Sequence, residues 1–173
     1  MSQRISKTIS YILRHKPEDY GLTLDAQGWV DVQKLVDSLQ INIPTLVGIV
    51  NSDSKGRYEF SSDGKKLRAT QGHSIPVDLS LKVFISENPF LYHGTASRFL
   101  SDILSDGLTK QSRNFVHLSQ DYDTALVVGG RHGAPVVLQV DFKQMQLDGH
   151  VLYVSSNDVV LTDHVPAKYI KVL

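Results

Sequence analysis

The 173-residue sequence predicts an α+β protein of two lobes, residues 1–80 and 86–173. Two observations carry that reading. Apolar stripes at helical spacing fill about the first fifty residues and give way to a strand–turn–strand signal. Beyond a stretch with prolines at both ends, "PVDLSLKVFISENP" (residues 76–89), short strand patterns alternate with a few short helices. Many short strands with few helices suit α+β and not a doubly wound sheet.

Each element has a local reason. Ile5, Ile9, Ile12 and Leu13 form an i, i+4, i+7, i+8 stripe, so residues 3–15 are a helix with one buried face that Pro17 ends. Leu22 and Leu24 read as a short strand, followed by a turn at Ala26-Gln27-Gly28. Asp31 caps a second helix bearing Val32, Leu35, Val36 and Leu39 on one face. Pro44 suits the first turn of a third, continued by Leu46, Val47 and Val50. "RYEFSSDGKKLRAT" then reads strand, Asp-Gly turn, strand. Helices followed by a hairpin are the order of a winged-helix lobe.

Residues 76–89 read as a connector. In the second lobe Leu91-Tyr92 end a strand, and Leu100, Ile103 and Leu104 line a helix stopped by Gly107. Phe115, Val116 and Leu118 mark another strand, and residues 121–128 a helix. "APVVLQVDF", Val159–Leu161 and Tyr169–Leu173 are three further strands.

Composition narrows the function. Eighteen basic and eighteen acidic residues give a formal net charge of zero, which argues against a bulk polyanion binder. Lys55, Arg57, Lys65, Lys66 and Arg68 nevertheless cluster on the hairpin against only Glu59 and Asp63. The third helix, where a major-groove reader would carry Arg, Lys, Asn or Gln, is nearly devoid of basic side chains. A winged-helix lobe of this sequence would meet nucleic acid through its wing and the Arg14-His15 corner. There is no cysteine, so disulfides and thiolate metal sites are excluded, and the histidines lack ligand spacing, so no metal is expected. Only Glu18, Glu59 and Glu87 represent glutamate, which argues against a paired-glutamate glycosidase. "MSQRISKTIS" has no apolar core of a secretory signal and no run spans a membrane. The expected setting is cytoplasmic, or nuclear in a eukaryote. No apolar surface stripe repeats, so a monomer is expected.

Four features suggest chemistry, and each alone has a plainer explanation. Arg14-His15 are two cations at a helix C-terminus, where they also complement the dipole. Arg57 opens the wing, where a solvated strand residue is ordinary. His93-Gly94-Thr95 stand at a predicted strand end, where a glycine lets backbone approach a ligand or merely turns the chain. His117, in "VHLS", sits on a strand, as a ligand contact or a core histidine.

Taken in order, "LRHKP", "SSDG…LRATQGHS", "LYHGTASRFL", "GL", "VHLS" and "GGRHGAPVVL" resemble the RNA 2′-phosphotransferase family over about residues 4 to 172. These are NAD-dependent enzymes that remove the internal 2′-phosphate left at tRNA splice junctions. The resemblance implies a winged-helix RNA lobe followed by an ADP-ribosyltransferase-like NAD lobe. It implies a catalytic set of Arg14, His15, Arg57 and Arg131, and NAD contacts from His93, Gly94, Thr95, His117 and Ser119. Arg98 and Arg113 are further pyrophosphate partners that spacing does not select; for both, a solvated surface arginine is the plainer reading. ADP-ribosyltransferases of this type often keep a glutamate on a late strand. Here no Glu follows Glu87, and the matching place near Val159 is apolar. That suits a phosphate monoester nucleophile, which already carries about −1.5 to −2 charge and needs no general base. The resemblance implies NAD as a consumed co-substrate, 2′-phosphorylated RNA as partner and no metal. Two rivals share these residues: an ADP-ribosyltransferase acting on terminal nucleic-acid phosphates, and a non-catalytic winged-helix nucleic-acid binder.

Overall fold

The computed structural model describes residues 2–173, which divide into two compact units, one ending at Ser80 and the other beginning at Leu81. Among the described residues no helix is long and apolar enough to cross a membrane.

In the first unit α1 spans Ser2–Arg14 and buries Ile9, Ile12 and Leu13. It ends where the backbone N–H groups of His15 and Lys16 both donate to Tyr11 O, and Pro17 opens a 3-10 turn. Leu22 and Leu24 are not a strand. Leu22 N–H closes on Pro17 O and its side chain is buried as a loop plug. A strand needs a ladder partner, and among the described residues the first strand to find one is β1, Val30–Asp31, which pairs through Val30 and Leu67. Asp31 then caps α2 (Val32–Leu39) by accepting from Lys34 N, and Asn42 caps α3 (Ile43–Ser52) by accepting from Thr45 N. The hairpin forms as β2 (Tyr58–Phe60) and β3 (Lys66–Ala69), with Gly64 in the left-handed region at φ 72°. All pairing is antiparallel in the order β1-β3-β2, with Val30 opposite Leu67 and Tyr58 opposite Ala69. Tyr58 also donates its hydroxyl to Ser6 O, tying the hairpin to α1. One core holds the α1 stripe, Leu35, Leu46 and Leu67.

The second unit begins inside the stretch expected to be a connector. Lys82–Val83 form β4, because Val83 pairs with Tyr153 at a sheet edge. The remaining elements are β5 (Phe90–Ala96), α4 (Leu100–Asp106), β6 (Leu108–Thr109), β7 (Val116–Leu118), α5 (Tyr122–Gly129) and β8 (Pro135–Asp141). They continue with α6 (Phe142–Leu147), β9 (Tyr153–Val154), β10 (Val160–Thr162), β11 (His164–Val165) and β12 (Ile170–Val172). Two sheets, β4-β9-β10-β7 and β12-β8-β5, and a small β11-β6 pair are antiparallel throughout. A doubly wound parallel sheet is thereby excluded. The second core includes Leu91, Val116, Leu118, Leu138, Val140, Phe142 and Val160.

Three expectations are corrected here. Leu104 is 47% exposed, and α4 packs inward through Leu100 and Ile103 alone. The "APVVLQVDF" strand stops at Asp141, whose carboxylate accepts from Gln144 N and starts α6 with Phe142. His93-Gly94-Thr95 lie inside β5, opposite Leu138, Val137 and Val136, and not at its end.

Candidate functional site

In the first unit, Arg14 and His15 emerge where α1 stops, and Arg57 stands just before β2. One short segment, Thr70–Ser74, connects them. Thr70 N–H donates to Arg57 O, and Ser74 N–H donates to Arg14 O. Thr70 also donates its hydroxyl to Gly56 O. Gly72 has φ 91°, and a Cβ there would stand 3.1 Å from both Nε and Cζ of Arg14. The guanidinium therefore lies against bare backbone. Ser74 Oγ is 2.8 Å from His15 Nδ1.

Arg57 is held differently. Its N–H donates to Asp53 Oδ2, and its Nη1 is 3.7 Å from Asp53 Oδ1, a carboxylate only 9% exposed. The pair orients the arginine while leaving 30% of its side chain in solvent.

The connecting segment is itself polar and buried. Thr70, Gln71 and His73 are all in the interior. Among the described residues Gln71 Oε1 and His73 Nε2 are buried without a hydrogen-bond partner, a cost that points to a job beyond local stability. Burial above all, then the charges of Arg14, Arg68 and His15, lower the His73 pKa to about 4, so its imidazole is neutral.

A groove of about 580 Å³ also lies in this unit, between the turn at Asp25 and the hairpin. Arg68 stacks over Trp29 there, 4.4 Å from the ring centroid. The lining includes Asp25, Glu59 and Asp63 and none of the expected site residues. Three carboxylates make it a poor phosphate cradle.

In the second unit, the set centres on β5. Tyr92 and Ser119 exchange two backbone hydrogen bonds, joining β5 to the end of β7. Backbone groups alternate sides along a strand, so Gly94 points its N–H and C=O the same way as Tyr92, away from β8. The side chain of Thr95 is buried.

Gly94 is required by packing. A Cβ there would fall 1.6 Å from Ala125 O, and one at Gly129 would fall 2.8 Å from Thr95 O. Two glycines let α5 lie directly on β5, and the chain leaving α5 carries Arg131 out beside that strand. Arg131 is exposed on the turn, its N–H closing to Val128 O.

Two histidines face opposite ways in hydrogen bonding. His93 Nδ1 donates to His117 O at 2.9 Å, since a carbonyl only accepts. Burial lowers the His93 pKa, so the ring is neutral with Nε2 basic. Arg113 Nη1 donates to His117 Nδ1 at 3.2 Å, which places the proton of a neutral His117 on Nε2. Sequence reasoning read Arg113 as a surface arginine, and its side chain is exposed in the structure; partial desolvation first, and the charge of Arg131 second, lower its pKa. Among the described residues neither Arg113 nor Arg131 has a carboxylate within ion-pair distance. Two guanidinium groups that repel each other, without a carboxylate between them, fit an anion.

Of the expected residues, the structure thus gathers Arg14, His15 and Arg57 in one unit and His93, Gly94, Thr95, His117, Ser119 and Arg131 in the other. Ser74, Gly72 and Asp53 were missed as supports. Their partners lie far away in sequence or carry no motif, though Gly72 and Ser74 fall in the quoted "RATQGHS".

A two-unit mixed helix–strand chain carrying cationic, anion-fitting clusters on both units is the class these features define. More specifically, the sequence model of the RNA 2′-phosphotransferase family (Tpt1 / KptA) matches residues 1–164, and the chain belongs to that family. It is 48% identical over 177 residues to a probable RNA 2′-phosphotransferase of Agrobacterium fabrum, covering 99% of this chain and 95% of the relative. It is 45% identical to one from Acaryochloris marina, covering 95% and 93%, and 44% identical to one from Burkholderia lata, covering 97% and 89%.

Proposed function

We propose that this chain removes an internal 2′-phosphate from RNA, with tRNA the RNA in view, by transferring it to NAD. The observation that carries the reading is the Thr70–Ser74 segment, which holds Arg14, His15 and Arg57 by backbone and side-chain contacts. We read the first unit as a winged-helix RNA lobe, on its helices, β1 and hairpin. We read the second as an ADP-ribosyltransferase-like NAD lobe, on its antiparallel sheets.

The chemistry is two displacements. A phosphate oxygen of the RNA forms a bond to the anomeric carbon of the nicotinamide ribose, and the C–N electron pair leaves with nicotinamide. The ribose 2″-hydroxyl then bonds to phosphorus, the RNA 2′-oxygen leaves and takes up a proton, and ADP-ribose 1″,2″-cyclic phosphate is released.

Arg14 and Arg57 bind and neutralise the 2′-phosphate, for which planar, permanently charged donors are suited. His15 accepts the proton of the attacking hydroxyl. Arg131 stabilises charge growing on the phosphoryl oxygens, a contribution worth roughly 3–4 kcal/mol per donor in favourable sites. On the NAD side, Gly94 offers backbone N–H and C=O to the carboxamide, and His93 Nε2 accepts from a hydroxyl. His117 Nε2–H and Ser119 donate to ribose or phosphate. Arg113 fits the pyrophosphate. The place near Val159 needs no glutamate, because the nucleophile arrives ionised.

Nicotinamide release tests this directly. It should require RNA bearing the 2′-phosphate and be absent with the same RNA lacking it. No release in either case contradicts the proposal.

A further inference from the structure

The geometry points to Ser74 as the residue that sets the tautomer of His15, making Nε2 its basic nitrogen. This rests on the reading of His15 as proton acceptor in the second displacement.

Ser74 is fixed at the end of α1, because its N–H donates to Arg14 O at 2.9 Å. That carbonyl belongs to the last turn of the helix, where carbonyls lack intrahelical donors. Ser74 Oγ lies 3.5 Å from the same Arg14 O and 2.8 Å from His15 Nδ1. A hydroxyl has one proton to give. The contact to Arg14 O is long, yet it gives that proton an acceptor and leaves the oxygen lone pairs facing the imidazole. Nδ1–H then donates to Oγ. A neutral imidazole carries a single proton, so Nε2 holds the lone pair.

The opposite arrangement, with Oγ–H donating to Nδ1, would leave Nε2 protonated. His15 would then be a donor to phosphate and not an acceptor. The two states predict different chemistry from identical heavy atoms, so the serine decides the function of the histidine.

The supports follow the pair in order. Gly72 lies against the Arg14 guanidinium, and Ser74, two residues on, meets the ring of His15. Ser74 is a positioning residue, since its hydroxyl acts through His15.

Nitrogen-15 NMR of the full chain, at a pH high enough that the His15 shifts no longer change with pH, reads the tautomer. The His15 signals are assigned by their loss in His15→Gln. The wild type should show Nδ1 protonated and Nε2 pyridine-like. Ser74→Ala should give mixed tautomers, and Ser74→Thr should restore the wild-type pattern.

In single turnovers, Ser74→Ala should slow breakdown of the ADP-ribosylated RNA about tenfold, the worth of one lost hydrogen bond. Nicotinamide release should be nearly unchanged, and Thr should recover the rate. A protonated Nε2 in the wild type overturns the inference, as does Ser74→Ala with unaltered tautomer and rates. Absence of nicotinamide release from the wild type is separate: it defeats the functional reading, while the NMR result still judges Ser74.

Discussion

His73 should make the first unit acid-sensitive in a way that one substitution removes. Its side chain is 2% exposed, and burial with the nearby charges of Arg14, Arg68 and His15 lowers its pKa from 6.5 to about 4. The unfolded chain binds the proton near pH 6.5 and the folded chain only near pH 4. Between those values the unfolded state holds more protons, so stability is full above pH 6.5 and falls as the pH drops towards 4. From the two pKa values the loss is about 2 kcal/mol by pH 5 and about 3 kcal/mol by pH 4. His73→Gln keeps a neutral polar group but cannot titrate. Urea melts followed by Trp29 suit the comparison, because it is the only tryptophan, belongs to the first unit and stacks with Arg68. Between pH 7.5 and 5 the wild type should lose about 2 kcal/mol more than His73→Gln, the carboxylates cancelling between the two. Equal losses would refute the burial argument.

Other substitutions test the remaining contacts. Gly94→Ala drives a Cβ onto the Ala125 backbone oxygen, so the second unit should lose about 3 kcal/mol or more, a drop of at least about 10 °C by calorimetry; an unchanged transition would sink the packing account. Arg57→Ala removes the guanidinium but leaves the Asp53 carboxylate the backbone N–H of residue 57 as a donor, so the fold should persist while phosphate removal slows about 10²-fold. Turnover equal to wild type would remove Arg57 from the site. Arg131→Ala should spare nicotinamide release more than phosphate release, so ADP-ribosylated RNA builds up on a gel; parallel loss of both steps would reassign it. Arg113→Ala should raise KM for NAD about tenfold with a smaller effect on kcat, and an unaltered KM would return Arg113 to the role of a surface cation.

What the sequence disclosed was local. The stripe of α1, the Asp31 cap, Pro44 at the start of α3 and the Asp63-Gly64 turn all act within a few residues, so their patterns are visible in the chain. Two-residue strands escaped notice because they have no pattern of their own. β11 exists only because His164 meets Thr109, and β1 only because Val30 meets Leu67. The α6 start was hidden behind the apolar run of β8, although Asp141 three residues before Gln144 is an N-cap spacing. The site followed the same division. Motifs pointed to Arg14, His15, Arg57 and Arg131, but nothing in spacing links His15 to Ser74 or Gly94 to Ala125. Gly94 shows the limit well: a glycine beside a ligand and a glycine under a helix look alike in sequence.

The central claim is NAD-dependent removal of an RNA 2′-phosphate, and one incubation tests it. The purified chain is mixed with a short RNA bearing an internal 2′-phosphate, with and without NAD and with EDTA present, and all products are weighed by mass spectrometry. The account predicts, only with NAD, RNA with a free 2′-hydroxyl, nicotinamide and ADP-ribose 1″,2″-cyclic phosphate. A stalled RNA–ADP-ribose adduct would instead describe a one-step transferase, and unchanged RNA with no nicotinamide would contradict the account outright.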